Sequence, residues 1–189
     1  MHVPRLYLAI VSISFFWAIA AILAAQFPPL VKNELVADKS VATLFTAIFS
    51  VGVAVGSVVV NRLLKGHVSA RYSPVSVLVM AGFVLMLWWQ VNNWVPVPDT
   101  PTDGDNLVNW IEFLCYRTGD FILLALFGIA VFGGMFMMPL YAFLTTTVAK
   151  SETARTVAAN NIVNSAFMVA AAGALSALGS IGFTIVQTL

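Results

Sequence analysis

Residues 121–149 read FILLALFGIAVFGGMFMMPLYAFLTTTVA, without one charged side chain. A helix needs about 20 apolar residues to cross roughly 30 Å of hydrocarbon, and this run exceeds that. It is continuous rather than alternating. In lipid the backbone must satisfy its own N–H and C=O groups, and a continuous apolar run selects the helical way of doing so over a barrel strand. Four more charge-free runs surround it: Leu6 to Val31, Ser40 to Asn61, Tyr72 to Pro98, and Thr156 to Leu189. Over 189 residues the chain is 60% hydrophobic and 9% charged, with a mean hydropathy of +0.95. An ordinary soluble domain carries about 25% charged residues, so this is an all-α integral membrane protein, a polytopic helical bundle.

The expected spans are about 6–30, 40–62, 74–96, 121–148 and 155–177, all in a single membrane domain 1–189. The last run is too long for one helix and splits at Leu178-Gly179-Ser180-Ile181-Gly182, whose glycines suit a tight turn. Residues 183–189 would then begin a sixth span and stop, so the chain reads as a piece of a larger bundle. The first run lacks a small-residue cleavage site and is too long for a signal peptide, so it stays in the membrane.

The charges between the runs fix an orientation. Arg5, Arg62, Lys65, Arg71, Lys150 and Arg155 fall on one side. Glu34, Asp38, Asp99, Asp103, Asp105, Glu112 and Asp120 fall on the other, diluted by Lys32, Lys39 and Arg117. The positive-inside rule makes the basic side, with the N-terminus, cytoplasmic. On the outer side VPVPDTPTDGD is irregular chain, and NLVNWIEFLCY carries Leu107, Trp110, Ile111, Leu114 and Cys115 at helical spacing. That pattern predicts a short interfacial helix over about 106–117, opened by Asp105 as N-cap and anchored by Trp110 and Tyr116.

Several functional classes find no support. The net charge is +1 and no cluster of Lys and Arg marks a nucleic-acid surface. His2 and His67 are far apart with no thiol or carboxylate at metal-ligand spacing, so no metal, cofactor or catalytic residue is expected. Cys115 is the only cysteine and cannot form an intrachain disulfide. No span contains a charge, which removes the usual proton-relay candidates.

The polar exceptions inside the spans carry the functional reading. In RTVAANNIVNSAFM (155–168), Asn161, Asn164 and Ser165 share a face at i, i+3 and i+4, and Asn160 and Asn164 are four apart. An unpaired amide in an apolar medium costs roughly 2–7 kcal/mol, so these side chains need partners, water or a task. Interhelical hydrogen bonding and the lining of a substrate path both satisfy that demand. In the fourth span Gly133, Gly134 and Pro139 predict a bend or hinge, since proline removes a backbone hydrogen bond and glycine weakens the helix before it. Gly52 and Gly56 allow close helix approach.

Five stretches, taken together, resemble a known family: SISFFWAIAAILAAQFPPLVKN, ATLFTAIFSVGVAVGS, GSVVVNRLLKGHVSAR, FGIAVFGGMFMMPLYAFLTTTV and ARTVAANNIVNSAFMV. Their order is similar to the C-terminal half of major facilitator superfamily transporters, most of all the lysophospholipid transporter family, which includes fusions to acyltransferase and acyl-carrier-protein ligase domains. The resemblance implies helices seven to eleven of a twelve-helix protein, with the start of the twelfth, in the bacterial inner membrane. It implies an N-terminal six-helix half as partner, and membrane lipid and a lysophospholipid as ligands. The segment Gly56 to Lys65 stands where the superfamily has its cytoplasmic gate motif, with Arg62 and Lys65 at basic positions and Asn61 in place of the usual Asp. By the same resemblance Asn160, Asn161 and Asn164, with Tyr141 and Thr145 opposite, would form the polar end of the cavity. Trp17 and Gln26 would lie on the span that forms its lipid-facing side. A non-transporting anchor of an acyltransferase fusion and a general small-molecule efflux transporter remain the alternatives.

Overall fold

The computed structural model describes residues 3–65, 69, 71–95 and 107–188. His2, His67 and Asp105 lie outside the described residues. The elements are α1 (Val3–Pro29) running into a π-helical turn (Leu30–Glu34), α2 (Lys39–Leu63), α3 (Ser73–Asn92), α4 (Trp110–Cys115), α5 (Arg117–Thr146), α6 (Thr153–Ser180) and a 3-10 turn (Val186–Thr188). Five of them, α1 with its π turn, α2, α3, α5 and α6, are long and apolar enough to cross a membrane. The chain is thus a multi-pass helical membrane protein by length and composition.

Local chemistry sets the helix ends. Pro28 and Pro29 supply no N–H to the last turns of α1, and the ladder widens there, Leu35 N–H donating to the Leu30 carbonyl at 3.1 Å. The Asp38 side chain caps α2 by accepting from Lys39 N–H at 2.6 Å. Helix α4 opens at Trp110 with a capping box in which Asn109 and Glu112 satisfy each other's backbone N–H groups. Asn109, rather than the expected Asp105, therefore caps α4 as described, because its side chain is the one in register with the first turn. Phe113 is the buried residue of that helix, while Trp110, Ile111, Leu114 and Cys115 are exposed.

Helix α5 is the centre of the bundle and packs most extensively on α2 and α3. Small residues permit this. A Cβ at Gly56 would collide with the Val131 backbone, and one at Gly134 would meet the Val53 carbonyl. Helix α5 is continuous through Gly133, Gly134 and Pro139, where a bend or hinge is expected. Gly133 makes room for the Phe16 ring of α1. The main apolar core lies toward the α4 end, where Phe45 sits edge-on to Phe27 and Phe113. A smaller cluster joins Ala9 and Ile13 of α1 to Met137, Leu140 and Leu144 of α5 toward the other end.

The α4 end is tied together by non-local bonds. Ala37 pairs with Val108, Asp38 N–H donates to the Val108 carbonyl at 2.9 Å, and Trp94 Nε1–H donates to the Leu35 carbonyl at 3.1 Å. Val36 adopts φ 50°, which a β-branched residue avoids unless its surroundings force it; here Val108 N–H holds its carbonyl at 3.1 Å. At the other terminus α6 reaches Ser180, and Gly182 at φ 98° turns the chain back. The expected start of a further span is here a turn and a 3-10 segment, with Ile185 and Val186 packed on the main core.

Candidate functional site

Helix α6 inverts the usual membrane pattern. Its buried residues are Asn160 and Asn164, while the rest of it is half-buried or exposed. It leans chiefly on α1, and its two amides point to where α1 and α5 meet. The four-residue spacing puts both on one face, and they lie within about the first 17 Å of the helix, at 1.5 Å per residue.

The cluster they enter is neutral and built only of hydrogen-bonding groups. The Ser14 hydroxyl of α1 donates to Asn164 Oδ1 at 2.7 Å, with Ser14 fully buried. Tyr141 of α5 is the hub: Trp17 Nε1–H donates to its hydroxyl at 3.2 Å, and the Nδ2 groups of Asn160 and Asn164 each approach it at 3.5 Å. A tyrosine hydroxyl has two lone pairs and one proton, so three N–H neighbours exceed what it can accept at once. Meanwhile Asn160 Oδ1 is buried with no hydrogen-bond partner among the described residues. The site therefore holds an unspent acceptor beside an oversubscribed one.

An apolar cavity of about 550 Å³ lies between α1 and α3, with Ile19, Leu23, Met80 and Val84 in its wall. Phe16 points away from Ser14 on α1. It lines the cavity, contacts the Trp17 ring edge-on at 6.3 Å between centroids, and sits 5.8 Å from the Phe136 ring. None of the five residues of the polar cluster lines this cavity.

Of the residues expected at the site, Trp17, Tyr141, Asn160 and Asn164 come together. Asn161 and Ser165 do not: both are exposed, and the Ser165 hydroxyl donates to the Asn161 carbonyl of its own helix. Thr145 likewise turns back to the Tyr141 and Ala142 carbonyls. Gln26 is buried but lines the apolar cavity rather than the polar cluster. Asn61, Arg62 and Lys65 are exposed at the end of α2, Lys65 taking φ 50° where the helix stops, while Gly56 serves the contact with α5. Ser14 is the member that sequence reading missed. Its signal was its place three residues before Trp17, on the same face of α1.

Among the described residues no group of histidine, cysteine and carboxylate side chains could hold a metal. Comparison with family models, with curated proteins and with solved structures finds no match to this chain.

Proposed function

We propose that this chain is half of a secondary transporter that moves an amphiphile, a lysophospholipid, across the bacterial inner membrane, with its N-terminus cytoplasmic. The observation that carries the reading is the Ser14–Trp17–Tyr141–Asn160–Asn164 cluster, in which a membrane helix buries only its amides and leaves one carbonyl without a donor. Burying such a group costs free energy, and a binding task is a reason to keep it. A lysophospholipid has a polar head that can donate to Asn160 Oδ1. Half-bundles of this type form their site with a second half across the membrane midplane, so the complete path needs a complementary six-helix partner. No catalytic step is assigned to this chain.

The test is uptake of labelled lysophosphatidylethanolamine into proteoliposomes holding this domain assembled with its complementary half. Wild-type assemblies should take up the lipid, and replacing Asn160 and Asn164 together with Leu should abolish uptake while the helical content persists. Uptake unchanged by the double replacement, or none by the wild type, rejects the reading.

A further inference from the structure

A second recess lies at the α4 end, against the start of α2, and nothing in the transport reading uses it. It is an open groove of about 450 Å³, and its polar rim is made by Asp38, Lys39 and Ser40. Trp110 of α4 forms the side, and Thr43, Leu44 and Ala47 continue the wall along α2. The wall changes chemistry with depth. Within the first turn it offers a carboxylate and an ammonium, then hydroxyls, then only aliphatic groups. From Asp38 to Ala47 is about 13 Å at 1.5 Å per residue, close to half the thickness of the hydrocarbon layer.

One further observation places the rim at head-group depth. Trp88 and Trp89 of α3 are exposed near the same end as Trp110, the arrangement that marks a membrane interface. A wall that passes from paired opposite charges to apolar groups is complementary to an amphiphile whose head carries both charges.

We propose that this recess binds a zwitterionic phospholipid from the leaflet at the α4 end. Its phosphate meets the Lys39 ammonium. Its ammonium meets the Asp38 carboxylate and the face of Trp110, an attraction that aromatic rings provide for cations. One acyl chain follows α2 past Leu44 and Ala47. The site is separate from the Ser14–Asn164 cluster and stands whether or not the chain transports a lipid.

The experiment is photolabelling of the full chain in detergent micelles with a diazirine-bearing phosphatidylethanolamine, the adduct mapped by peptide mass spectrometry. Phosphatidylglycerol and free phosphoethanolamine serve as competitors. Label should concentrate on residues 38–47 and Trp110, and phosphoethanolamine should not compete. Lys39→Gln should weaken labelling about tenfold, the loss of one charge-assisted contact. Asp38→Asn keeps a good N-cap and so keeps the helix, yet should reverse the preference from phosphatidylethanolamine to phosphatidylglycerol, because the rim then carries a net positive charge. Label spread evenly over the lipid-facing sides of α3 and α6 overturns the proposal, as does a head-group preference that Asp38→Asn leaves unchanged. Effective competition by free phosphoethanolamine overturns the assignment to a lipid.

Discussion

Replacing Asn160 with Leu should make the bundle more stable, although it removes a buried hydrogen-bonding side chain. Leu has the same branched shape at Cγ, so the packing volume is nearly kept. The only bond lost is the 3.5 Å approach of Nδ2 to the Tyr141 hydroxyl, at the outer limit for a hydrogen bond and made to an atom already shared with Trp17 and Asn164. What is gained is relief of an unsatisfied buried Oδ1, whose penalty is about 1–3 kcal/mol. The balance is a stabilisation of about 1 kcal/mol. Asn164→Leu should go the other way, because it breaks the 2.7 Å bond from Ser14. Interhelical hydrogen bonds of membrane proteins average about 0.6 kcal/mol with a ceiling near 1.7, so a loss of about 1–1.5 kcal/mol is expected for this short, buried one. Equilibrium unfolding in mixed micelles of increasing denaturing-detergent content measures both. If Asn160→Leu costs as much as Asn164→Leu, Asn160 Oδ1 has a structural partner and the argument that it is kept for a ligand fails.

Further outcomes test the packing and the cap. Tyr141→Phe removes the acceptor shared by Trp17, Asn160 and Asn164 and should cost about 0.5–1 kcal/mol in the same unfolding assay, because the bonds are long and Trp17 is exposed. Gly56→Ala should cost about 1–3 kcal/mol, since its Cβ meets the Val131 backbone and no rotamer can move it away. Gly82→Ala, at a position with open space around it, should instead gain about 0.5–1 kcal/mol. Asn109→Ala removes one half of the α4 capping box and should cost about 1 kcal/mol locally, seen as faster tryptic cleavage at Arg117.

The membrane helices were legible because their signal is local: an apolar run between charges needs no knowledge of its neighbours. Asn160 and Asn164 were legible as a pair for the same reason. The face was not, because Asn161 and Ser165 have the same four-residue spacing, and only the position of α1 decides which pair is buried. Ser14 was overlooked since a lone serine in a span is ordinary, and its role appears only when a helix 150 residues away presents Asn164. The continuity of α5 through Pro139 has a similar origin. A proline removes one bond from the ladder, and packing on both sides decides whether the helix carries on. The tie between Val36–Asp38 and Val108 was out of reach, because it joins segments distant in sequence and depends on a β-branched residue in a conformation its type disfavours.

The bundle is held together unevenly, and the unevenness falls at the candidate site. Helices α2, α3 and α5 form one packed unit, joined by glycine-mediated contact of α5 with α2 and by the main aromatic core. Helices α1 and α6 form a second pair, fastened to each other by the short Ser14–Asn164 bond. Between the units, near the basic end, lie the small cluster around Ile13 and Leu140 and the Tyr141 hydroxyl with its long bonds of 3.2–3.5 Å. At the opposite end Leu23 and Phe27 of α1 enter the main core, and the Trp94 bond to Leu35 and the pairing of Ala37 with Val108 tie the segment after α1 to the α3 and α4 side. Long hydrogen bonds shared by one oxygen contribute far less than short ones, so the seam is weakest where the polar groups are. A ligand that donates to Asn160 Oδ1 would therefore bind where the two units are most easily shifted against each other, and its binding energy would act on that seam.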